Sequence, residues 1–101
     1  MFEQVGVFDA TFSALEHSMK IASMRQAVIA QNIANAKTPG YEPQSFDEEL
    51  MMAVKRSDKK KMVLEEELSD LTKNSIDYSG YVKMMTTKLN ILKTIASQGR
   101  R

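Results

Sequence analysis

Two long stretches of this chain carry apolar residues at alternating steps of four and three, and this spacing limits the fold more than any other feature. The first stretch runs from about Phe8 to Ala36, and the second runs from about Leu64 to Ser97. Such steps place side chains on one stripe of an α-helix, close to the seam of a coiled coil. The sequence therefore predicts an all-α fold in which two long terminal helices pack as an antiparallel, coiled-coil-like hairpin.

Each predicted helix has one apolar seam with a single polar interruption, Gln26 in the first and Ser75 in the second. The seam of the first helix comprises Phe8, Phe12, Leu15, Met19, Ala22, Ile29, Ile33 and Ala36, and that of the second comprises Leu64, Leu68, Leu71, Tyr78, Val82, Met85, Leu89, Leu92 and Ala96. A hairpin that pairs Ala36 with Leu64 places Gln26 and Ser75 in nearly the same layer. A buried polar pair there would fix the register at a cost in stability. The alternative left open is that both side chains face solvent or a neighbouring subunit.

The residues between the two helices have a different composition. Thr38-Pro39-Gly40-Tyr41 predicts a type II turn, because proline fixes φ at the second position and glycine accepts a positive φ at the third. A capping-box pattern at Ser45 and Glu48 then predicts a short helix over residues 46–55, followed by an exposed basic loop over residues 55–61. The predicted organisation is a helix over residues 1–36, a connection over 37–63 and a helix over 64–101, together forming one axial domain.

Apolar residues also lie outside the two seams. A second face of each helix carries Ala14, Ile21 and Val28 in the first and Ile76, Met84, Ile91 and Ile95 in the second. A two-helix hairpin cannot cover two faces of each helix, and burying one Leu or Ile side chain contributes about 1.5–3 kcal/mol. A third helix over residues 46–55 is too short to cover both faces, so the pattern favours self-association.

Composition disfavours most chemical functions. The net charge of +1 gives no global field for nucleic acid or an acidic membrane. The chain has no cysteine, and His17 is its only histidine, without ligand-like spacing to other residues. No nucleophilic serine motif or phosphate-binding glycine loop occurs. We therefore expect no enzyme, no catalytic residue, no metal, no cofactor and no small-molecule substrate.

The stretch from Arg25 to Tyr41 resembles the signature of the flagellar basal-body rod and hook proteins, a family whose pattern combines R-Q, N-I-A-N and T-P-G-Y. The residues that carry the resemblance are Arg25, Gln26, Asn32, Ile33, Asn35, Thr38, Pro39, Gly40 and Tyr41. The segments 45–50 and 64–95 resemble those of the proximal-rod members. Family members usually have a longer middle, with an Asp-Gly-Asn-like turn before the last helix, which this chain lacks.

The resemblance implies a structural subunit of the proximal rod of the bacterial flagellar basal body. Its terminal helices would form the inner, axial domain of a tubular rod that transmits torque. The subunit would be exported to the periplasm by the flagellar type III apparatus, and the first ten residues indeed lack the pattern of a cleavable signal peptide. The implied partners are FlgC-like rod subunits, a FliE-like adaptor, the membrane ring and the export gate.

Individual motif residues also have local interpretations. Asn35 is expected to end the first helix, and Tyr41 to anchor the turn. Asn32 and Gln31 either cap the helix locally or hydrogen-bond across subunits, since amides both donate and accept.

Two other classes compete on the residues alone. A small cytoplasmic adaptor or export chaperone would also be amphipathic, but it leaves T-P-G-Y unexplained. A membrane-surface helix would need more basic residues than the Lys20 and Arg25 of the first helix.

Overall fold

Two antiparallel helices of nearly equal length form most of the molecule. The computed structural model describes residues 2–56 and 63–99, with side chains described for residues 9–56 and 63–99. The elements are α1 (Phe2–Ala34), β1 (Gln44–Asp47), β2 (Met52–Lys55) and α2 (Leu64–Gln98). The molecule measures 66 × 23 × 15 Å, so its length is close to that of one helix. The predicted hairpin of two long helices is confirmed.

α1 begins earlier and ends slightly earlier than the spacing predicted. It starts at Phe2 and stops at Ala34, where the backbone tightens: the Ala36 amide donates to the Ile33 carbonyl at 3.2 Å. The Gln31 carbonyl accepts hydrogen bonds from both the Asn35 amide at 3.1 Å and the Asn35 side chain at 2.9 Å, so Asn35 strengthens the last turn of the helix. Pro39 then prevents the helix from continuing.

The turn after α1 has the geometry that its residues predicted. Gly40 has a φ of 80°, and the Tyr41 amide donates to the Thr38 carbonyl at 3.2 Å. Both values are those of a type II turn, whose third residue needs a positive φ. The turn directs the chain back towards α1 and places Tyr41 beside it.

The predicted short helix over residues 46–55 is wrong, because this segment forms an antiparallel β-hairpin. Ser45 pairs with Val54 and Phe46 with Ala53. Asp47 accepts a hydrogen bond from the Leu50 amide at 2.9 Å, and Met51 closes the loop with a φ of 53°. A helix of ten residues is marginal in water. Here α1 holds the start of the segment in extended form, and that contact outweighs the local helical pattern.

The core lies along the inner stripe of α1. Leu15, Ala22 and Ile29 are buried, and Phe12, Met19 and Ile33 are half-buried, so these six predicted seam residues lie on the inner side of α1. Ala36 of the predicted seam lies beyond the end of α1 and is exposed, and the side chain of Phe8 is outside the described residues. Val28, assigned from the sequence to a second face, is also buried. It lines a groove together with Phe46 of β1, so the β-hairpin covers that face.

The stripe of α2 that faces α1 differs from the predicted seam. Leu71, Met85 and Leu92 are half-buried as predicted, but Leu68, Tyr78, Val82 and Leu89 are exposed by 38–46%. Glu67 and Asn74 are buried in their place. The stripe is thus turned by roughly 50°, half of the roughly 100° between consecutive residues of a helix. The stripe is turned because of polar contacts that are described below. Glu67 accepts hydrogen bonds from Asn32 and Arg56, and Asn74 donates hydrogen bonds to α1, so this side of α2 is held against the rest of the chain.

Neither helix, over the residues that the structure describes, contains a stretch long and apolar enough to span a membrane. Most of the basic stretch predicted as an exposed loop, residues 57–61, lies outside the described residues.

Candidate assembly site

Asn32 lies at the centre of a hydrogen-bond network that joins α1, the turn and β1. The residue has no exposed surface. Its Nδ2 donates to the Gln44 carbonyl at 2.8 Å and to Glu67 Oε2 at 3.4 Å, while its Oδ1 accepts from the Gln44 amide at 3.0 Å and from the Tyr41 hydroxyl at 2.7 Å. An amide side chain has two donors and two acceptor positions, so Asn32 is fully satisfied within its own chain. Within the chain these bonds do not cap the end of α1, and the expected alternative of a bond across subunits stays a prediction.

Tyr41 is the link between the turn and Asn32. The turn delivers its ring to the side of α1, where the hydroxyl donates to Asn32. Burial, followed by the nearby Glu67 carboxylate, raises the pKa of this hydroxyl above its ordinary value of 10.0, and the Arg56 guanidinium acts in the opposite direction. The expected anchoring role of Tyr41 thus has a defined geometry, made through the hydroxyl.

An ion pair closes the network on the side of α2. Arg56 Nη2 lies 2.6 Å from Glu67 Oε1 and 3.3 Å from the Gln44 carbonyl. The Glu67 side chain is only 4% exposed, and a buried carboxylate needs such a partner to offset its lost hydration. In the sequence, Arg56 falls in the stretch predicted as an exposed basic loop. No local pattern marks either residue, because they are brought together by the hairpin.

The remaining motif residues have local or surface positions. Thr38 donates to Asn35 Oδ1 at 3.2 Å, so Asn35 closes the helix end as expected. Arg25 forms an exposed ion pair with Glu48, which ties α1 to the tip of the β-hairpin. Ile33 lies half-buried on the seam, and Pro39 is exposed in the turn. The motif therefore serves mainly to fix the path of the chain after α1.

A second polar layer lies halfway along the helical hairpin. Gln26 Nε2 donates to Ser75 Oγ at 2.9 Å, which confirms the predicted pairing of the two polar seam positions. Asn74, which the sequence analysis missed, donates to Gln26 Oε1 at 2.9 Å and to the Ala22 carbonyl at 2.6 Å. Its Oδ1 is buried and has no hydrogen-bond partner among the described residues. A misaligned register would leave more of these groups unpaired, so the layer specifies how the two helices align.

A groove of about 360 Å³ lies between α1, β1 and α2. Its lining combines apolar and charged side chains, among them Val28, Phe46, Arg56 and Asp77. The described residues contain no group of three or more potential metal ligands, and His17 is exposed on α1. The geometry is that of a rigid connection between two helices, with the ion pairs serving to hold elements together.

Uncovered apolar residues follow the outer side of α2. Ile76 is 66% exposed and Met84 51%. Together with Ile91 and Ile95, which are exposed by 44% and 46%, they form what we call the α2 apolar surface. Scattered apolar residues are normal on a protein surface, but a run along one helix marks an interaction site.

Comparison with known proteins places the motif in a family context. The family model described as "Flagella basal body rod protein" matches residues 17–41, which span the second half of α1 and the turn as far as Tyr41. The flagellar basal body rod protein FlgB of Bacillus subtilis (strain 168) is 25% identical over 129 residues, covering 95% of this chain and all of that protein. Since this chain has 101 residues, the relative is the longer of the two, as expected for a family whose members usually have a longer middle.

Proposed function

We propose that this chain, which is similar to flagellar basal-body rod proteins and to the FlgB of Bacillus subtilis, is a subunit of the proximal rod that works by packing its terminal helices against those of its neighbours. In this proposal, the subunit is exported by the flagellar type III apparatus to the periplasm and joins a tubular rod that transmits torque. Its neighbours are FlgC-like rod subunits, a FliE-like adaptor and the membrane ring near the export gate. It performs no catalysis.

The observation that carries the proposal is the uncovered α2 apolar surface. Ile76, Met84 and Ile95 are each about half-exposed or more in the single chain. Burying apolar surface contributes roughly 25 cal/mol per Å², and the single chain leaves this contribution unused along most of α2. Contact with neighbouring helices would supply the missing burial.

The hydrogen-bond network around Asn32 also supports this proposed function. A torque-transmitting subunit needs a connection that does not slip when its two helices are pulled in different directions. Asn32, Tyr41 and the Arg56–Glu67 ion pair join α1, the turn, the β-hairpin and α2. Fully satisfied buried polar networks rigidify a structure, so the network suits a part that transmits force.

A substitution on the α2 apolar surface separates assembly from folding. We expect Ile91→Asp to leave the helical content of the purified chain unchanged, because Ile91 is 44% exposed, while removing incorporation into basal bodies and therefore motility. Asn90→Asp is the matched control, since Asn90 is exposed next to it on the same helix and lies outside the α2 apolar surface. The measurements are circular dichroism of the purified chain and isolation of basal bodies from a complemented null strain.

The outcomes distinguish the proposed function from its alternative. Normal incorporation of Ile91→Asp would contradict the role of the α2 apolar surface. A null strain that still builds hooks and filaments, at a lowered level, would instead favour the export chaperone.

A further inference from the structure

Charge is unevenly distributed along α2. Residues 64–77, which we call the acidic half, carry five acidic residues and one lysine; residues 78–98, the basic half, carry three lysines and no acidic residue. In the acidic half Glu67 is buried against Arg56, whereas Glu65, Glu66, Asp70 and Asp77 are exposed. In the basic half Lys83 and Lys93 are exposed. The exposed surface of α2 therefore changes sign near its middle.

Exposed apolar residues accompany the charges in both halves. Leu64 and Leu68 are each 45% exposed in the acidic half, and Leu89 and Ile95 are each 46% exposed in the basic half. Apolar burial supplies most of the affinity of an interface, while charges select the partner and the register. Both halves thus present what a helix of another copy would need in order to dock.

The charge division decides between possible alignments of two copies. Two α2 helices that lie parallel and level would oppose acidic half to acidic half, which is unfavourable. A shift of 18 residues brings Glu65 level with Lys83 and Asp70 level with Lys88. At a rise of 1.5 Å per residue this shift is about 27 Å, and it is five whole helical turns.

We propose that copies of this chain associate through parallel α2 helices that are offset along their axes by about 27 Å, with the acidic half of one copy beside the basic half of the next. The parallel direction rests on the proposed function, since an offset parallel contact leaves one half of each terminal copy free and so continues as an open assembly. An antiparallel pair would also match the charges, but it would close as a dimer.

A double substitution tests the charge contribution. Lys83→Glu with Lys93→Glu makes the basic half acidic. We expect the self-association of the full chain at low salt to weaken by about tenfold, because the Glu65–Lys83 pair becomes repulsive and the other acidic residues then face a half with a net negative charge. The difference from the unsubstituted chain should shrink in high salt because salt screens exposed charges. Lys20→Glu with Lys37→Glu is the control, since it changes the net charge equally at exposed positions outside α2. Sedimentation over a range of concentrations gives the measurement.

Cross-linking tests the alignment. A carbodiimide joins carboxylates to amines that touch, and a mixture of ¹⁴N- and ¹⁵N-labelled chains identifies the links formed between copies. We expect mixed-isotope links from Glu65, Glu66 or Asp70 to Lys83 or Lys93, in products that form a ladder beyond the dimer. Mixed-isotope links in products that stop at the dimer would show the closed antiparallel pair and overturn the proposal.

Two further results would overturn the offset contact. One is self-association that responds equally to the double substitution and its control. The other is a chain that stays monomeric at low salt at every concentration. Neither result decides the proposed function, because a separate experiment measures incorporation into basal bodies. That experiment compares the Lys83→Glu, Lys93→Glu chain with the unsubstituted chain. A chain that incorporates normally with its basic half reversed keeps the rod function and loses the offset contact.

Discussion

The two asparagines of the N-I-A-N motif look alike in the sequence but occupy different environments, and replacing each with alanine should separate them. Asn32 is fully buried and makes four hydrogen bonds. Asn35 is half-buried at the helix end, where it bonds to Gln31 and Thr38. We expect Asn32→Ala to destabilise the chain strongly and Asn35→Ala to have a small effect.

The magnitude follows from the partners that each substitution leaves behind. After Asn32→Ala the Gln44 carbonyl and Glu67 keep Arg56 as a partner, but the Gln44 amide loses the Asn32 acceptor. An unsatisfied buried group costs about 1–3 kcal/mol and each lost hydrogen bond about 1 kcal/mol, so we expect a loss of about 2–4 kcal/mol. The partners of Asn35 can turn to water, so its replacement should cost about 1 kcal/mol or less.

The assay is thermal and urea unfolding of the full chain, followed by circular dichroism. A loss of 2–4 kcal/mol corresponds to a decrease in Tm of roughly 10–30 °C for a domain of this size. Hydrogen exchange should show the loss first in the β-hairpin, because the Gln44 backbone is held by Asn32. Equal effects of the two substitutions on Tm, or a β-hairpin that stays protected in Asn32→Ala, would refute the network as the anchor.

Two further predictions concern the turn. The pKa of Tyr41 is raised in the folded chain, so the contribution of its protonated hydroxyl is complete below about pH 10 and is lost as the pH rises through the raised value. Tyr41→Phe should therefore make the decrease of Tm above that pH less steep. Tyr78→Phe, at an exposed position, should leave the decrease unchanged. Identical profiles of Tm against alkaline pH for the two variants would contradict the role given to the Tyr41 hydroxyl. Gly40→Val places a β-branched residue at a φ of 80° and should cost about 1–3 kcal/mol of unfolding free energy. Gly80→Ala, in the interior of α2 with open space around it, should instead raise stability by about 0.5–1 kcal/mol, and the same sign for both would argue against a strained turn.

Local sequence patterns were sufficient for the helices and the turn. The four-and-three spacing predicted α1 and α2, and the Pro-Gly pair predicted the positive φ of Gly40, because both depend on residues close together in the chain. The Gln26–Ser75 pair was also predictable, since a hairpin of two regular helices converts sequence distance into layer position. In each case, the rise per residue of a helix and the allowed backbone angles determine the structure.

Tertiary contacts decided the rest. The segment 46–55 has a helical pattern, yet it forms strands because Asn32 binds both backbone groups of Gln44. Likewise the apolar spacing of α2 predicted a seam through Leu68, but Glu67 faces inwards because Arg56 pairs with it across the fold. A pattern records only what a segment prefers by itself. A buried polar group must find its partner wherever the fold provides one, so the sequence determined the two helices and the inner side of α1, and the tertiary structure decided which side of α2 faces the core.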